Sequence, residues 1–248
     1  MSEYLLEVKN ISQLFSKRVI ALENISFGIK KGEIVALLGD NGAGKSTLIK
    51  LLSGYHRLTS GEILWEGNKL SWNKKNSTRL AKELGIQTVY QNLGLVEQLS
   101  VLRNFFLTNE ITKGKVFPIL DFAVMAAIVE AQLERMAIKR KINPYELVSS
   151  LSGGERQVLA ICRAIYFKSK LLIMDEPTSA LSIKQRREVH MSIKKAAEAG
   201  IAVIYITHSL ENLNKLVDRY LILNHGHLVG ELTSDQADKT QIEELITQ

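Results

Sequence analysis

Two short blocks of this 248-residue sequence carry residues that could do chemistry on phosphate. Gly39-Asp-Asn-Gly-Ala-Gly-Lys-Ser46 fits G-x-x-x-x-G-K-[ST] when the pattern is started at Gly39. In such a loop the backbone N–H groups can wrap phosphate oxygens, Lys45 can neutralise their charge and Ser46 can hold Mg²⁺. The pattern therefore points to a nucleoside triphosphate. The second block, Leu151-Ser-Gly-Gly154, opens a helix with a hydroxyl and two glycines, another ready anion site. One phosphate-cradling loop shared between two phosphate readers suggests a machine that works in pairs.

Leu171-Leu-Ile-Met-Asp175-Glu176 sets two carboxylates at the end of a central strand, where open α/β sheets put their ligands. Asp175 would hold the metal shell, and Glu176 could orient and polarise a water for in-line attack on the γ-phosphate. The competing reading is a strand end that caps the next helix. Pro177 fixes the chain direction immediately after the pair. Gln91 ends Thr88-Val-Tyr-Gln91, and His208 ends Ile204-Tyr-Ile-Thr-His208. A neutral amide can sit on Mg²⁺ or water, and an imidazole N–H can donate to a phosphoryl oxygen. Alone, each is as well read as a satisfied polar residue; with the loop and the carboxylates they form a constellation.

These residues need strands and helices to bring them together, and the hydrophobic pattern falls into three parts. Up to about residue 85, Leu5–Ile11 and Val19–Ile29 are strand-like, and Glu33–Leu38 is a buried strand delivering the chain into the loop. From Ser46, Leu48, Ile49, Leu51 and Leu52 predict a helix closed by Gly54; Glu62–Glu66 and Gly85–Tyr90 predict further strands. From about Asn92 to Arg163 the chain turns mostly helical. Asp121 is a plausible N-cap there, and Phe122, Met125, Ala126, Val129, Leu133 and Met136 recur at helical spacing as a core stripe. Alternation returns with the strand Lys170–Asp175, the helix Lys184–Ala199 and the apolar strand Ile201–Thr207, a pattern that belongs in a parallel sheet covered by helices. Asp218–Leu223 and His227–Leu232 read as a hairpin across Asn224-His225-Gly226, and no metal is expected at its two histidines. No internal repeat is evident.

Composition bounds the rest. With 46% apolar residues and no low-complexity stretch, the chain can bury the core of one large α/β domain. The single cysteine, Cys162, forms no internal disulfide and reads as a small buried hydrophobe, which fits a reducing compartment. The charged start lacks the apolar run of a signal peptide, and the apolar stretches are too short to cross a bilayer. Any membrane role is expected through a partner. The net charge of +6 includes the clusters Asn73–Asn76 and Lys139–Lys141, which lack interleaved aromatics and read as solvated surface rather than a nucleic-acid groove.

The order Gly39–Ser46, Gln91, Leu151-Ser-Gly-Gly-Glu-Arg-Gln157, Asp175-Glu176, Ser179-Ala-Leu181 and His208 resembles the ATP-binding cassette (ABC) ATPases over nearly the whole chain. The resemblance implies that Gly39, Asn41, Gly42, Ala43, Gly44, Lys45, Ser46 and Thr47 bind ATP, with Ser46, Gln91 and Asp175 on Mg²⁺. It implies that Glu176, His208 and Gln91 serve catalysis, Gln91 also linking the site to a membrane partner. Ser152, Gly153 and Gly154 would touch ATP held by the opposite subunit. Phe15 is the candidate for stacking on adenine, although its spacing to Ala21-Leu22 is slightly long; a core role is the alternative. One departure stands out: the family commonly follows Ser-Ala-Leu with Asp, and here the residue is Ser182, which can hydrogen-bond but carries no charge. Gly39–Gly54, Gln87–Gln91 and Leu99–Leu107 look like the ATPases of bacterial ribose-type and fructose-type sugar importers, many of which fuse two cassettes. This chain reads as a single cassette without the C-terminal regulatory domain of maltose-type ATPases.

The expected fold is α/β: a P-loop NTPase core with a mainly parallel sheet, an N-terminal antiparallel β subdomain and a helical subdomain inserted at about 92–163, all one domain over 1–248. The expected function is the ATP-hydrolysing subunit of an importer, for a sugar, at the cytoplasmic face of the membrane. It would dimerise head to tail, as a homodimer or paired cassette, and drive a separate permease served by a solute-binding protein, with no nucleic-acid partner. The alternatives are an ABC ATPase for another solute, a cassette acting on ribosomes or DNA, and a small-molecule P-loop kinase. The last leaves Leu151–Gln157 unexplained.

Overall fold

A computed structural model of the protein describes residues 3–16, 19–72, 77–90, 93–114, 117–136, 140–179, 181–210 and 212–247. The chain forms two compact units. The first comprises Met1–Thr88, Ser169–Pro177 and Ala197–Gln248, and the second Val89–Lys168 and Thr178–Ala196.

The first unit opens with β1 (Leu6–Ser16), β2 (Val19–Ile29), β3 (Ile34–Leu38), α1 (Lys45–Leu52), β4 (Ser60–Trp65), β5 (Asn68–Lys69) and α2 (Ser77–Glu83). β6 (Ile86–Val89) precedes the elements of the second unit: α3 (Val101–Phe106), the short strands β7 (Thr112–Lys113) and β8 (Ile119–Leu120), α4 (Phe122–Glu134) and α5 (Gly153–Tyr166). Then follow β9 (Leu171–Asp175), α6 (Ile183–Glu198), β10 (Ala202–Ile206), β11 (Arg219–Asn224), β12 (His227–Thr233) and α7 (Lys239–Thr247).

Two sheets build the first unit. The larger runs β12-β11-β3-β10-β9-β6, with β11, β3, β10 and β9 mutually parallel and β12 returning antiparallel. β3 and β10 are buried at every residue, as strands without a polar face must be when both sides of the sheet are covered. β12 alternates between exposed and half-buried residues at the sheet edge. The smaller sheet, β2-β1-β4-β5, is antiparallel throughout. Leu6, Ile25, Leu37, Ile63, Leu171 and Ile204 belong to one apolar cluster in this unit. Cutting such a buried Leu or Ile back to Ala costs about 2–5 kcal/mol.

β1 runs further than the expected Leu5–Ile11. Gln13, Leu14 and Ser16 still pair with Leu22, Ile20 and Val19, through several register shifts. The polar residues there carry no strand signal of their own; the β-branched partner strand holds them in place.

In the second unit Asp121 caps α4 by accepting from the Val124 N–H at 3.3 Å, and Met125, Ala126, Val129 and Leu133 form the buried stripe. Phe122 departs from that stripe. It is 38% exposed, and the Arg103 guanidinium lies 5.7 Å over its ring. Met136 is buried beyond the helix end. The segment expected to be mostly helical also holds the β7–β8 hairpin. Cys162 is buried, and loss of hydration pushes its thiol up to about 12, so it stays un-ionised at neutral pH.

Candidate active site

The site begins with strand register. On β10, Ile206 pairs with Leu37 of β3 on one side and with Asp175 of β9 on the other. Three parallel strands therefore end level. The residues just beyond those ends, Gly39, Thr207-His208 and Glu176, are thus neighbours in space although they are distant in sequence.

The loop after β3 is shaped by glycine. Gly39, Gly42 and Gly44 have φ of 146°, 90° and 106°, values that residues with a Cβ rarely adopt. At Gly44 space forbids a side chain as well, since a Cβ would lie 2.7 Å from Leu22 Cδ2 and 2.8 Å from the Ala21 carbonyl oxygen. Gly44 also stands at the N-cap of α1, where no side chain covers the first N–H groups of the helix. Those uncovered donors and the positive end of the helix dipole face whatever anion the loop receives. The Lys45 Nζ donates to the carbonyls of Gly39 at 2.6 Å and Asp40 at 2.9 Å. Burial lowers the Lys45 pKa, and the charges of Glu176, Asp40 and Asp175 oppose that fall. Asn41, Gly42 and Ser46 are exposed, Thr47 is half-buried and Ala43 is buried.

The carboxylates share this environment. Burial pushes the Asp175 pKa up, the adjacent Glu176 charge adds to the rise, and Lys45 pulls it back. Glu176 has φ of 49°, a strained conformation for a residue with a long side chain. Two features over-determine that conformation. Its N–H donates to the Ile206 carbonyl at 3.0 Å, and its carboxylate accepts from the His208 N–H at 3.0 Å and the Thr207 hydroxyl at 3.3 Å. His208 Nδ1 lies 2.7 Å from the same carboxylate. An ionised carboxylate can only accept, so Nδ1 carries the proton in this pair and Nε2 is the nitrogen left for another partner.

The structure brings Gly39–Thr47, Asp175, Glu176 and His208 together in the first unit. Phe15 lies on β1 where its neighbours Leu14 and Ser16 pair with Ile20 and Val19, just before the Ala21-Leu22 segment that touches Gly44. It is 51% exposed and meets the His56 ring edge-on at 5.1 Å. Gln91 lies outside the described residues.

Ser152, Gly153 and Gly154 belong to the second unit and open α5. Ser152 caps that helix reciprocally. Its hydroxyl accepts from the Glu155 N–H at 3.3 Å, while the Glu155 carboxylate accepts from the Ser152 N–H at 2.8 Å. Arg140 completes the arrangement, bridging Glu155 and Glu146. The glycines permit close packing: a Cβ on Gly153 would lie 2.9 Å from Leu181 Cδ2, and one on Gly154 2.9 Å from Gln185 Cβ. Ser182, where the family pattern has Asp, forms a second capping box. The Ser182 hydroxyl lies 3.4 Å from the Gln185 N–H, and the Ser182 N–H donates to Gln185 Oε1 at 3.0 Å.

Several residues that sequence reasoning missed shape this machinery. Thr207 donates to Glu176, and its Oγ1 accepts from the Ser209 N–H at 3.1 Å. Fully buried Asn104 ties down the loop before α3, accepting from the Val96 N–H at 2.7 Å and donating to the Val96, Leu99 and Ser100 carbonyls. A lone amide inside Val-Leu-Arg-Asn-Phe-Phe was the available signal for Asn104. Arg140, read from the sequence as part of a solvated basic cluster, is exposed but tied to Glu146 and Glu155, partners that no local pattern assigns to it.

A glycine-rich phosphate loop after one parallel strand, with carboxylates at the end of a second strand and a histidine just past a third, defines an α/β nucleoside-triphosphate hydrolase. The chain belongs to the ABC transporter family, whose model matches residues 22–179, and it is an ATP-binding ATPase of that family. It is 39% identical over 244 residues to a xylose/arabinose import ATP-binding protein of Sulfolobus acidocaldarius, covering 98% of this chain and 94% of that one. It is 41% identical to a fructose import ATP-binding protein of Rhizobium meliloti, covering 86% and 81% of the two chains. A ribose import ATP-binding protein of Chromobacterium violaceum is 39% identical over 95% of this chain, which spans 45% of that relative's length. Among solved structures, cbiO1 from Clostridium perfringens, part of an ABC transporter complex, superposes with a TM-score of 0.80 at 25% identity, covering 99% and 93% of the two chains. A dimeric ATP-binding cassette in a post-hydrolysis state with ADP and Pi superposes with a TM-score of 0.73 at 25% identity, covering 92% and 98%.

Proposed function

We propose that this chain hydrolyses ATP to drive import of a sugar through separate permease subunits, acting as a peripheral protein on the cytoplasmic face of the membrane. The observation that carries the reading is the level ending of β3, β10 and β9, which couples Lys45 electrostatically to both Asp175 and Glu176. The sugar assignment rests on the similarity to import proteins for xylose/arabinose, ribose and fructose.

In this reading the loop amides and the open end of α1 bind the phosphates, and Lys45 exchanges the Gly39 and Asp40 carbonyls for phosphate oxygens. Phe15, exposed beside β2, stacks on the adenine. The donor set fits Mg²⁺, a hard cation held by one or two oxygen ligands beside substrate phosphates. The Ser46 hydroxyl and the Asp175 carboxylate would supply such ligands, with Gln91 as the sequence suggests, and a cation would relieve the cost of ionising Asp175 where it is buried beside Glu176. When bound, the ion would neutralise charge on the phosphate oxygens. Glu176 orients and polarises the attacking water, and His208 donates to the γ-phosphate. Its Nδ1 proton is held by Glu176, so donation comes either from Nε2–H of an imidazolium or after the pair separates. Gln91 couples the site to the permease, and a solute-binding protein delivers the sugar.

Ser152, Gly153 and Gly154 complete the site of a second copy, so two-fold symmetry gives two equivalent sites, each built from both chains. Lys45→Ala and Ser152→Arg homodimers should each be nearly inactive, because each loses positioning worth several powers of ten in related phosphoryl transfers. Mixing the two variants gathers both defects into one site of the heterodimer and leaves the other intact, so ATP hydrolysis should return. Heterodimers that form by crosslinking yet bind no ATP would refute the head-to-tail arrangement. With its permease, the ATPase should respond to a sugar-loaded binding protein. A response confined to amino acids or lipids would overturn the sugar assignment.

A further inference from the structure

The phosphate loop does not hold its shape alone. It lies against two backbone segments that the proposed chemistry does not use: the start of β2 and the turn between β11 and β12. That turn is the pair His225-Gly226, both with positive φ, 45° and 82°, the primed geometry that matches the twist of a tight hairpin. The Gly226 N–H donates to the Ala43 carbonyl at 3.1 Å, and the Gly226 carbonyl accepts from the Glu23 N–H of β2 at 2.8 Å. The contact is made backbone to backbone because glycines face it from each side. A Cβ on Gly39 would lie 2.2 Å from the Leu223 carbonyl oxygen, and one on Gly226 2.9 Å from the Ala21 carbonyl oxygen. A Cβ on Gly44 would meet that same Ala21 oxygen at 2.8 Å and Gly226 Cα at 3.7 Å.

Peptide geometry gives this contact a consequence for the ligand. A trans peptide unit is planar, with its C=O and N–H pointing in opposite directions. Holding the Ala43 carbonyl against the turn therefore points the next N–H, that of Gly44, away from the turn. We propose that Gly226 is a positioning residue for ATP: its backbone N–H grips the Ala43 carbonyl and thereby keeps the Gly44 N–H aimed into the phosphate cradle. The proposal rests on the reading of the chain as an ATPase and adds to it a residue outside the loop. Without the grip, the Ala43–Gly44 peptide is free to flip, and the loop would offer a carbonyl oxygen where phosphate needs a donor.

Gly226→Ala is the accessible variant, but its Cβ would clash with Ala21 and its φ would be strained, so it would perturb folding as well. The decisive variant replaces Gly226 with glycolate, turning its amide into an ester, so the N–H is lost and no atom is added. A matching ester at Ser234 removes the N–H that donates to the Asp218 carbonyl at 2.9 Å, at the far end of the same hairpin. Both esters should lower the melting temperature, the Ser234 ester at least as much as the 226 ester, since it also weakens the Thr233 carbonyl that accepts from the Gln236 and Ala237 N–H groups. MgATP affinity should fall about two- to tenfold in the 226 ester alone, and the Ser234 ester should bind as wild type does. The Gly44 amide resonance, which should move downfield when MgATP is added to wild type, should move less in the 226 ester. Equal MgATP affinity and an equal Gly44 shift in the 226 ester and wild type would refute the grip while leaving the ATPase reading intact. A wild-type chain that bound no MgATP would refute the underlying reading, and the proposal with it.

Discussion

Glu176→Gln separates what the site does with charge from what it does with shape. The carboxylate accepts from the His208 N–H and the Thr207 hydroxyl and pairs with His208 Nδ1. A glutamine oxygen can keep the His208 contacts, and the Thr207 hydroxyl can turn to accept from the new NH₂, so the loss of folding stability should stay within about 1 kcal/mol. The lost charge acts elsewhere. An amide cannot polarise water as a carboxylate does, and hydrolysis should fall about a hundredfold or more, a rise in barrier of at least about 2.7 kcal/mol. A second effect follows from Asp175, whose pKa is raised first by burial and next by the Glu176 charge. Removing that charge lets Asp175 ionise at lower pH, so the acid limb of Mg²⁺-dependent ATP binding should move downward. Phosphate release, measured beside binding of a fluorescent ATP analogue across pH, reads both effects. Near-normal turnover would move the catalytic role away from Glu176, and an acid limb that stayed in place would refute the coupling to Asp175.

Further substitutions test the supporting structure. Ser182→Ala removes the hydroxyl of the capping box on α6 and should cost about 1 kcal/mol, lowering the melting temperature by about 2–4 °C; Ser182→Asp should keep the cap, and an unchanged Ser182→Ala would show that the cap carries no stability. Gly154→Ala drives a Cβ against the base of the Gln185 side chain and should destabilise by about 1–3 kcal/mol, more than Gly153→Ala, which meets only the flexible end of Leu181; thermal melts in the reverse order would contradict the packing. His190 is held down to about 4 by burial and then by the Arg186 and Lys194 charges. An unfolded histidine takes up its proton near 6.5, so this site's stability is fully present above that pH and is lost as pH falls toward 4. His190→Gln should flatten denaturant-measured stability across that window, and an unchanged slope would place the titration elsewhere.

How much of this was legible in the sequence follows from how far each interaction reaches. The phosphate loop, the strand that feeds it and the helix that follows are one local unit: the glycines set the backbone, and the apolar run of β3 sets the burial. The same holds for the Ser152–Glu155 box, three residues apart, and for the α4 stripe, where periodicity identified every buried position within the helix. Phe122 departs from that stripe: it stays partly exposed, and Arg103, a neighbour only in space, lies over its ring.

The remaining features depend on partners that the sequence does not place nearby. The polar end of β1 is a strand because β2 pairs with it, and α2, the β7–β8 hairpin and α7 have residues too mixed in character to declare themselves. The motifs named Asp175, Glu176 and His208, but only the register of β9, β10 and β3 brings Asp175 and Glu176 beside Lys45 and His208 against Glu176, and their burial and proximity there perturb the titration of Asp175 and Lys45. The grip of Gly226 on the phosphate loop is a backbone hydrogen bond between segments at opposite ends of the chain. Such a bond has no side-chain signature: the sequence by itself determined which chemistry this protein carries, and tertiary structure decided what holds it in place, because chain folding alone sets the distances on which hydrogen bonds and charges act.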